Sequence, residues 1–244
     1  MDTVKDYVDL VKTPWGRMFY DMLFIQLSIP QTTNLNILDF GSGLGVTANH
    51  YAVWHNVTAI EPNPEMIESS FNENKYKQIN GGVNDLAEFQ TDKFDYIFCH
   101  NVLEYIEDKK PIIKELLRVL KTGGVLSVVK HNRVGRVFQT AVFANDPKKA
   151  LTLLDANAND KSNYLGTQYI YTNKYISELV NKYGGKIKEI FGMRAFYALG
   201  QDNKVKYTDE WYQNMLVLEN NAAVIDEYKN AAFHNHLLFE KIGG

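Results

Sequence analysis

The stretch NILDFGSGLG, residues 36–45, constrains this chain more than any other. Residues 35–40 form an apolar run of strand length that ends at Gly41, with glycine again at Gly43 and Gly45. Glycines in this pattern let backbone approach a ligand without Cβ clashes. A helix starting there presents free N–H groups and the positive end of its dipole. A strand, a glycine turn and a helix in that order predict an open α/β sheet with a nucleotide-type ligand at its carboxyl edge.

The rest of the chain fits that frame. Residues 57–61, 94–99 and 125–130 read as further strands, with a short one near 76–79. Helices are predicted over 45–54, from Pro64 onward, and over 111–120, where apolar residues recur at helical spacing. Alternating strands and helices argue for a parallel sheet covered on both faces. Residues 15–27 form an N-terminal helix, with Pro14 at its first turn and Trp15, Met18, Phe19, Met22, Leu23 and Leu27 at three- and four-residue spacing. After residue 130 the alternation weakens. We read 131–170 as an insertion containing a helix from Pro147, followed by a capped helix over 172–185. Strands are expected at 186–196 and 234–242, with a helix over 208–230 between them.

Two details narrow the ligand. The spacing Gly41-x-Gly43-x-Gly45 departs from the dinucleotide fingerprint G-x-G-x-x-G/A, and its sixth position is Val46, too bulky for close helix–strand contact. Asp39 lies two residues before the first glycine. A carboxylate there repels a pyrophosphate but suits an ammonium or sulfonium. Glu61, 22 residues beyond Asp39, ends the neighbouring strand, where an acid can bind both hydroxyls of a ribose. A nicotinamide-dependent dehydrogenase is disfavoured on these grounds.

Four segments, LDFGSGLG, AIEPNPEMI, FDYIFCHNVLEYI and LLRVLKTGGVLSVV, occur in the order of the motifs of class I S-adenosylmethionine-dependent methyltransferases, which this chain resembles. The resemblance implies a Rossmann-like, seven-stranded, mostly parallel sheet whose last strand is antiparallel, with a small helical insertion after strand 5. It implies one domain over 1–244, with its core at 35–130 and 171–241, an N-terminal helical segment at 1–30 and the insertion at 131–170. By the same resemblance, Gly41, Gly43 and Gly45 approach the methionyl part of S-adenosyl-L-methionine. Glu61 holds the ribose, Pro62 and Met66 flank the adenine, and Asp85 accepts from its amino group. His100 lies near the sulfonium or the methyl path and is the best-placed candidate base.

The segments VKTPWGR, HNRVGRVFQ, FGMRAFYAL and MLVLENN resemble the branch of tRNA wobble-uridine 5-oxyacetate carboxyl methyltransferases. That likeness implies that Arg17 helps hold the cofactor's methionine carboxylate and that Arg194 grips an acceptor carboxylate, with Tyr197 and Phe196 able to stack on a planar group. Independently of it, Lys130, Arg133 and Arg136 place three positive charges in seven residues where the fifth strand should end, a pattern suited to carboxylate or phosphate. Net charge is −3, so tRNA would have to dock on a local patch. The competing expectations are an O- or N-directed methyltransferase for a small, anionic metabolite and a module that binds the cofactor without turning it over.

One cysteine, Cys99, allows neither an internal disulfide nor a cysteine-based zinc site, and no metal cluster is expected. With no secretory h-region and no apolar run long enough to cross a bilayer, the chain reads as cytoplasmic, away from membranes. His234 and His236 alternate along a late strand and therefore share one face.

Overall fold

The computed structural model describes residues 4–32, 34–155, 160–162 and 166–243. Its centre is a sheet of seven strands: β1 (Asn36–Phe40), β2 (Asn56–Glu61), β3 (Lys77–Asn80), β4 (Phe94–His100), β5 (Leu120–His131), β8 (Gly185–Met193) and β9 (His234–Lys241). The spatial order is β3-β2-β1-β4-β5-β9-β8. Strands β1 to β5 pair in parallel, and β9 runs antiparallel to both β5 and β8. The seven-stranded sheet with an antiparallel last strand is therefore observed. The order reverses between β1 and β4, which makes that point the binding crevice of an open α/β sheet.

Side-chain alternation splits the sheet into two faces. Leu38, Ile60, Ile97, Val128 and Leu237 pack with α5 (Lys110–Val119) and α8 (Asn173–Lys182). Ile37, Ala59, Phe98, Val129 and Leu238 pack with Met18, Met22 and Leu23. Those three methionine and leucine side chains are wholly buried, each stabilising the face by roughly 1.5–3 kcal/mol. They belong to α2 (Pro14–Leu27), which begins at the expected proline. Ahead of it lies α1 (Val4–Lys12), which turns back tightly enough that a Cβ on Gly16 would sit 2.3 Å from the Val11 carbonyl oxygen.

Several boundaries move. The helix after the glycine turn, α3, covers only Val46–Tyr51, and α4 covers Pro64–Glu68. The insertion contains α6 (Arg133–Phe138) and α7 (Pro147–Leu153), followed by the antiparallel pair β6 (Asp160–Ser162) and β7 (Gly166–Gln168). The expected helix over 208–230 breaks into α9 (Asp209–Ala222) and α10 (Asp226–Lys229). β5 runs on to His131, so the basic run 130–136 is the end of a strand and the start of a helix rather than a loop. Among the described residues, no helix is long and apolar enough to cross a membrane.

Candidate functional site

The glycine turn is pinned to the end of β2. Gly41 N and Ser42 N donate to the Ile60 carbonyl at 2.8 and 3.0 Å, and Gly43 N donates to Glu61 Oε2 at 2.8 Å. Glu61 Oε1 accepts from Asn63 N at 2.9 Å. Each carboxylate oxygen keeps a further lone pair for a ligand hydroxyl. Arg118 bonds the carbonyls of Phe89 and Leu86, fixing the short 3-10 turn Val83–Glu88 that carries Asp85 at the exit of β3. Asp85 Oδ2 accepts from Gly82 N at 2.8 Å.

The glycines differ in what they face. All three have positive φ, at 75°, 53° and 69°. A Cβ on Gly41 would meet Val102 Cγ2 at 2.3 Å, and one on Gly45 would meet the Tyr76 hydroxyl at the same distance, whereas one on Gly43 would meet nothing within 4 Å. Only Gly43 therefore fronts open space. Gly43→Ala is expected to cost about 1–2 kcal/mol for its left-handed backbone and to weaken cofactor binding about tenfold by filling the cradle. Gly41→Ala adds a steric clash and should lower the melting temperature more. Thermal melts and calorimetric titration of the two variants check this; equal effects on both readouts would contradict it.

Polar atoms without protein partners gather at this crevice. Among the described residues, Asp39 Oδ2, Ser42 Oγ, His100 Nδ1 and Asn101 Oδ1 are buried and unbonded. They stand at the carboxyl ends of the adjacent strands β1 and β4. Buried polar groups are normally paired, so four orphans on two neighbouring strand ends mark a place for a polar ligand. Asp39 is 3% exposed, and burial, against a hydrogen bond from the Ala48 amide, lifts its pKa to about 7. An unpaired buried carboxylate is the complement of a cationic ligand. These groups, with Gly43 and Glu61, fit S-adenosylmethionine.

Two tyrosines missed by sequence reasoning are coupled electrostatically to the acids of the crevice. Tyr7 of α1 and Tyr20 of α2 share a hydrogen bond, with Glu61 beside the first and Asp39 beside the second. Their spacing in α1 and α2 carries no motif; only the return of α1 against α2 brings the two tyrosines together.

Alternation places a second group on the same face further along the edge. His131 ends β5, His234 begins opposite it on β9, and Arg194 follows β8. Glu104, almost wholly buried, accepts from His131 N at 2.9 Å and lies 3.2 Å from His131 Nδ1. The bond to His131 holds the Glu104 carboxyl below its ordinary range against the upward push of burial. His131 and His234 rings lie 4.6 Å apart, and His234 Nδ1 is 3.1 Å from Arg194 Nη2.

Arg194 is not within a strand, as expected, but is the first residue past β8, at φ 59°. It is 3% exposed. Its guanidinium donates to the Trp15 carbonyl and sits over the rings of Trp15, Phe233 and Phe19 at 4.2, 5.3 and 5.5 Å. Burial pushes its pKa down to about 9, which leaves a cation at neutral pH. Its Nε is buried and unbonded. Glu219 holds the turn instead of the guanidinium: its carboxylate accepts from the amides of Ala195, Phe196 and Tyr197.

The other sequence candidates have varied surroundings. Lys130 is on the opposite sheet face, buried beside the Tyr171 ring. Arg133 and Arg136 are on α6, donating to the Asp155 carbonyl and the Gln168 side chain. Arg17 sits 3.4 Å from Asp21 and over the Tyr212 ring of α9, joining two helices. Tyr197 is fully buried against Trp15 and Trp211, so its ring stacks within the protein. Pro62 is exposed and Met66 is buried.

Known proteins agree with the fold. Residues 38–128 match the methyltransferase domain model. A protein of Rickettsia bellii named ubiquinone biosynthesis O-methyltransferase is 25% identical over 206 residues, covering 82% of this chain and 81% of its own. A protein of the same name from Xanthomonas oryzae pv. oryzae is 36% identical over 115 residues, 43% of this chain and 47% of its own. The structure of an S-adenosylmethionine-dependent methyltransferase from Archaeoglobus fulgidus superposes with a TM-score of 0.62 at 13% identity, covering 96% of this chain and 99% of the other. One from Mesorhizobium loti gives 0.57 at 13%, covering 95% and 100%. A methyltransferase domain thus matches the glycine turn and the strands around it, and the fold is that of S-adenosylmethionine-dependent methyltransferases.

Proposed function

We propose that this enzyme methylates an oxygen of a small, anionic, ring-bearing molecule. The observation that carries this reading is Arg194: a buried cation boxed by aromatic rings, with a free Nε–H and, among the described residues, no carboxylate in ion-pair contact. Such a group pairs well with a planar acid, the guanidinium taking the carboxylate and the rings lining the body of the acceptor. The relatives' names, O-methyltransferases of ubiquinone biosynthesis, support oxygen as the acceptor atom.

S-adenosylmethionine supplies a methyl group already activated by its sulfonium. The chain's residues bind and align, and, for a hydroxyl acceptor, they take a proton. Asp39, Ser42, Gly43, Glu61 and Asp85 would hold the cofactor; His100 stands between it and Arg194 as the proposed base.

The alternative, a carboxylate on a modified tRNA wobble uridine, has less behind it. Of the basic run meant for phosphate, Lys130 is buried on the other face and both arginines are engaged within the insertion. Labelled cofactor, incubated in parallel with hydroxybenzoates, a small-metabolite extract and bulk tRNA, separates the two. Label in a base-stable small-molecule ether supports the proposal. Label in tRNA, as a base-labile ester, overturns it.

A further inference from the structure

A buried row of polar side chains crosses the sheet behind His100. His100 Nε2 lies 2.8 Å from Ser127 Oγ on β5, and Ser127 Oγ lies 2.8 Å from His236 Nε2 on β9. His236 Nδ1 lies 2.8 Å from Gln26 Oε1 on α2, and Gln26 Nε2 donates to the Gly192 carbonyl at 3.1 Å. Ser127 and His236 are wholly buried and Gln26 nearly so.

The far end of the row fixes every proton in it. A backbone carbonyl only accepts, so the Gln26 amide nitrogen must face Gly192 and its oxygen must face His236. That oxygen also only accepts, so His236 Nδ1 carries the hydrogen. Burial drives the His236 pKa down to about 3, so the ring is neutral and its Nε2 is bare. Ser127 therefore donates to His236, and its single hydrogen is spent. Its oxygen then accepts from His100, whose Nε2 carries a hydrogen. Burial and the neighbouring His236 hold His100 well below the ordinary imidazole range, so it too is neutral. Its Nδ1 is the buried atom that found no partner at the crevice.

We infer that Ser127, His236 and Gln26 are positioning residues that lock His100 in its Nε2–H tautomer and turn a bare Nδ1 toward the acceptor's hydroxyl. The opposite tautomer would present a donor there and could not accept a proton. The acceptor class is then a hydroxyl rather than a carboxylate, which is already ionised. The hydroxyl hydrogen passes to Nδ1 as the oxygen's electron pair takes the methyl carbon and the carbon–sulfur pair stays on sulfur. The tautomer stands on the hydrogen bonds and on the neutrality of the two buried rings; only the identity of the group meeting Nδ1 rests on the proposed function.

Nitrogen-15 NMR of histidine-labelled protein, without acceptor, tests the lock directly. Wild type should show His100 protonated at Nε2 and bare at Nδ1. Ser127→Ala should give a mixture of tautomers and about a tenfold loss in kcat on a hydroxybenzoate, with cofactor affinity within twofold of wild type. Ser127→Thr, which keeps the hydroxyl, should restore both readouts. If Ser127→Ala fails to fold, Gln26→Leu at the far end of the row should shift the tautomer in the same way. A wild-type His100 protonated at Nδ1, or an unchanged tautomer and kcat in both Ser127→Ala and Gln26→Leu, overturns the inference. The expected tautomer with transfer to no hydroxylated acid would overturn the proposed function and leave the lock standing.

Discussion

Asp39→Asn should bind S-adenosylmethionine about 30-fold more weakly than wild type (roughly 2 kcal/mol) and melt several degrees higher at pH 8. Both effects come from one buried charge. In the free protein Asp39 is 3% exposed, with one oxygen unbonded, and its pKa is raised from 3.8 to about 7. A carboxyl with a raised pKa binds more protons folded than unfolded between those values. Stability therefore falls as pH climbs from about 4 to about 7, and the cost is fully present above that window. Asparagine keeps the acceptor for the Ala48 amide and removes the charge. Each kcal/mol recovered is worth about 2–4 °C in a chain of this size. A cationic ligand repays the cost in the wild type by pairing with the ionised form. Cofactor affinity should accordingly rise about tenfold from pH 6 to pH 7.5 as Asp39 loses its proton, and stay flat in the variant. Calorimetric titration and melting curves at the two pH values check both statements. Wild-type affinity in Asp39→Asn would remove this carboxylate from the cofactor's neighbourhood.

The glycine-turn half of the candidate site was legible because its residues are local. Asp39, Gly41, Gly43 and Gly45 fall within seven residues, and Glu61 ends the adjacent strand, so motif spacing and strand alternation suffice to bring them together. The proposed acceptor half depends on contacts that spacing does not encode. Arg194 meets Trp15 across 179 residues, and His236 meets Gln26 across 210. His234 and His236 do share one face, as alternation requires, but the sequence holds no sign that they pack beneath α2. Lys130 and His131 show the limit most clearly. They are neighbours in a run of positive charge placed where the fifth strand should end, yet β5 continues to His131 and its alternation sends them to opposite faces.

Arg194→Met should raise the KM for an anionic acceptor about 100-fold while leaving cofactor affinity and the fold intact. Removing one partner of a buried ion pair strands the other charge, but among the described residues no carboxylate is in ion-pair contact with this guanidinium; Glu219, whose charge acts on it from a distance, is satisfied by three backbone amides. What surrounds Arg194 is aromatic, and methionine is apolar, unbranched and able to fill such a box. Replacing a buried charge with a well-packed apolar side chain is often neutral or stabilising. The melting temperature should therefore hold or rise, which separates a lost anchor from a damaged core. A gain in stability with a loss of acceptor binding is the pattern of a charge kept for a ligand. Arg194→Lys should not restore the KM, since an ammonium lacks the planar fork that meets a carboxylate twice. If Arg194→Met instead turns over a hydroxybenzoate with the wild-type KM, the guanidinium serves only its aromatic box, and the acceptor's acid must be sought elsewhere along the edge.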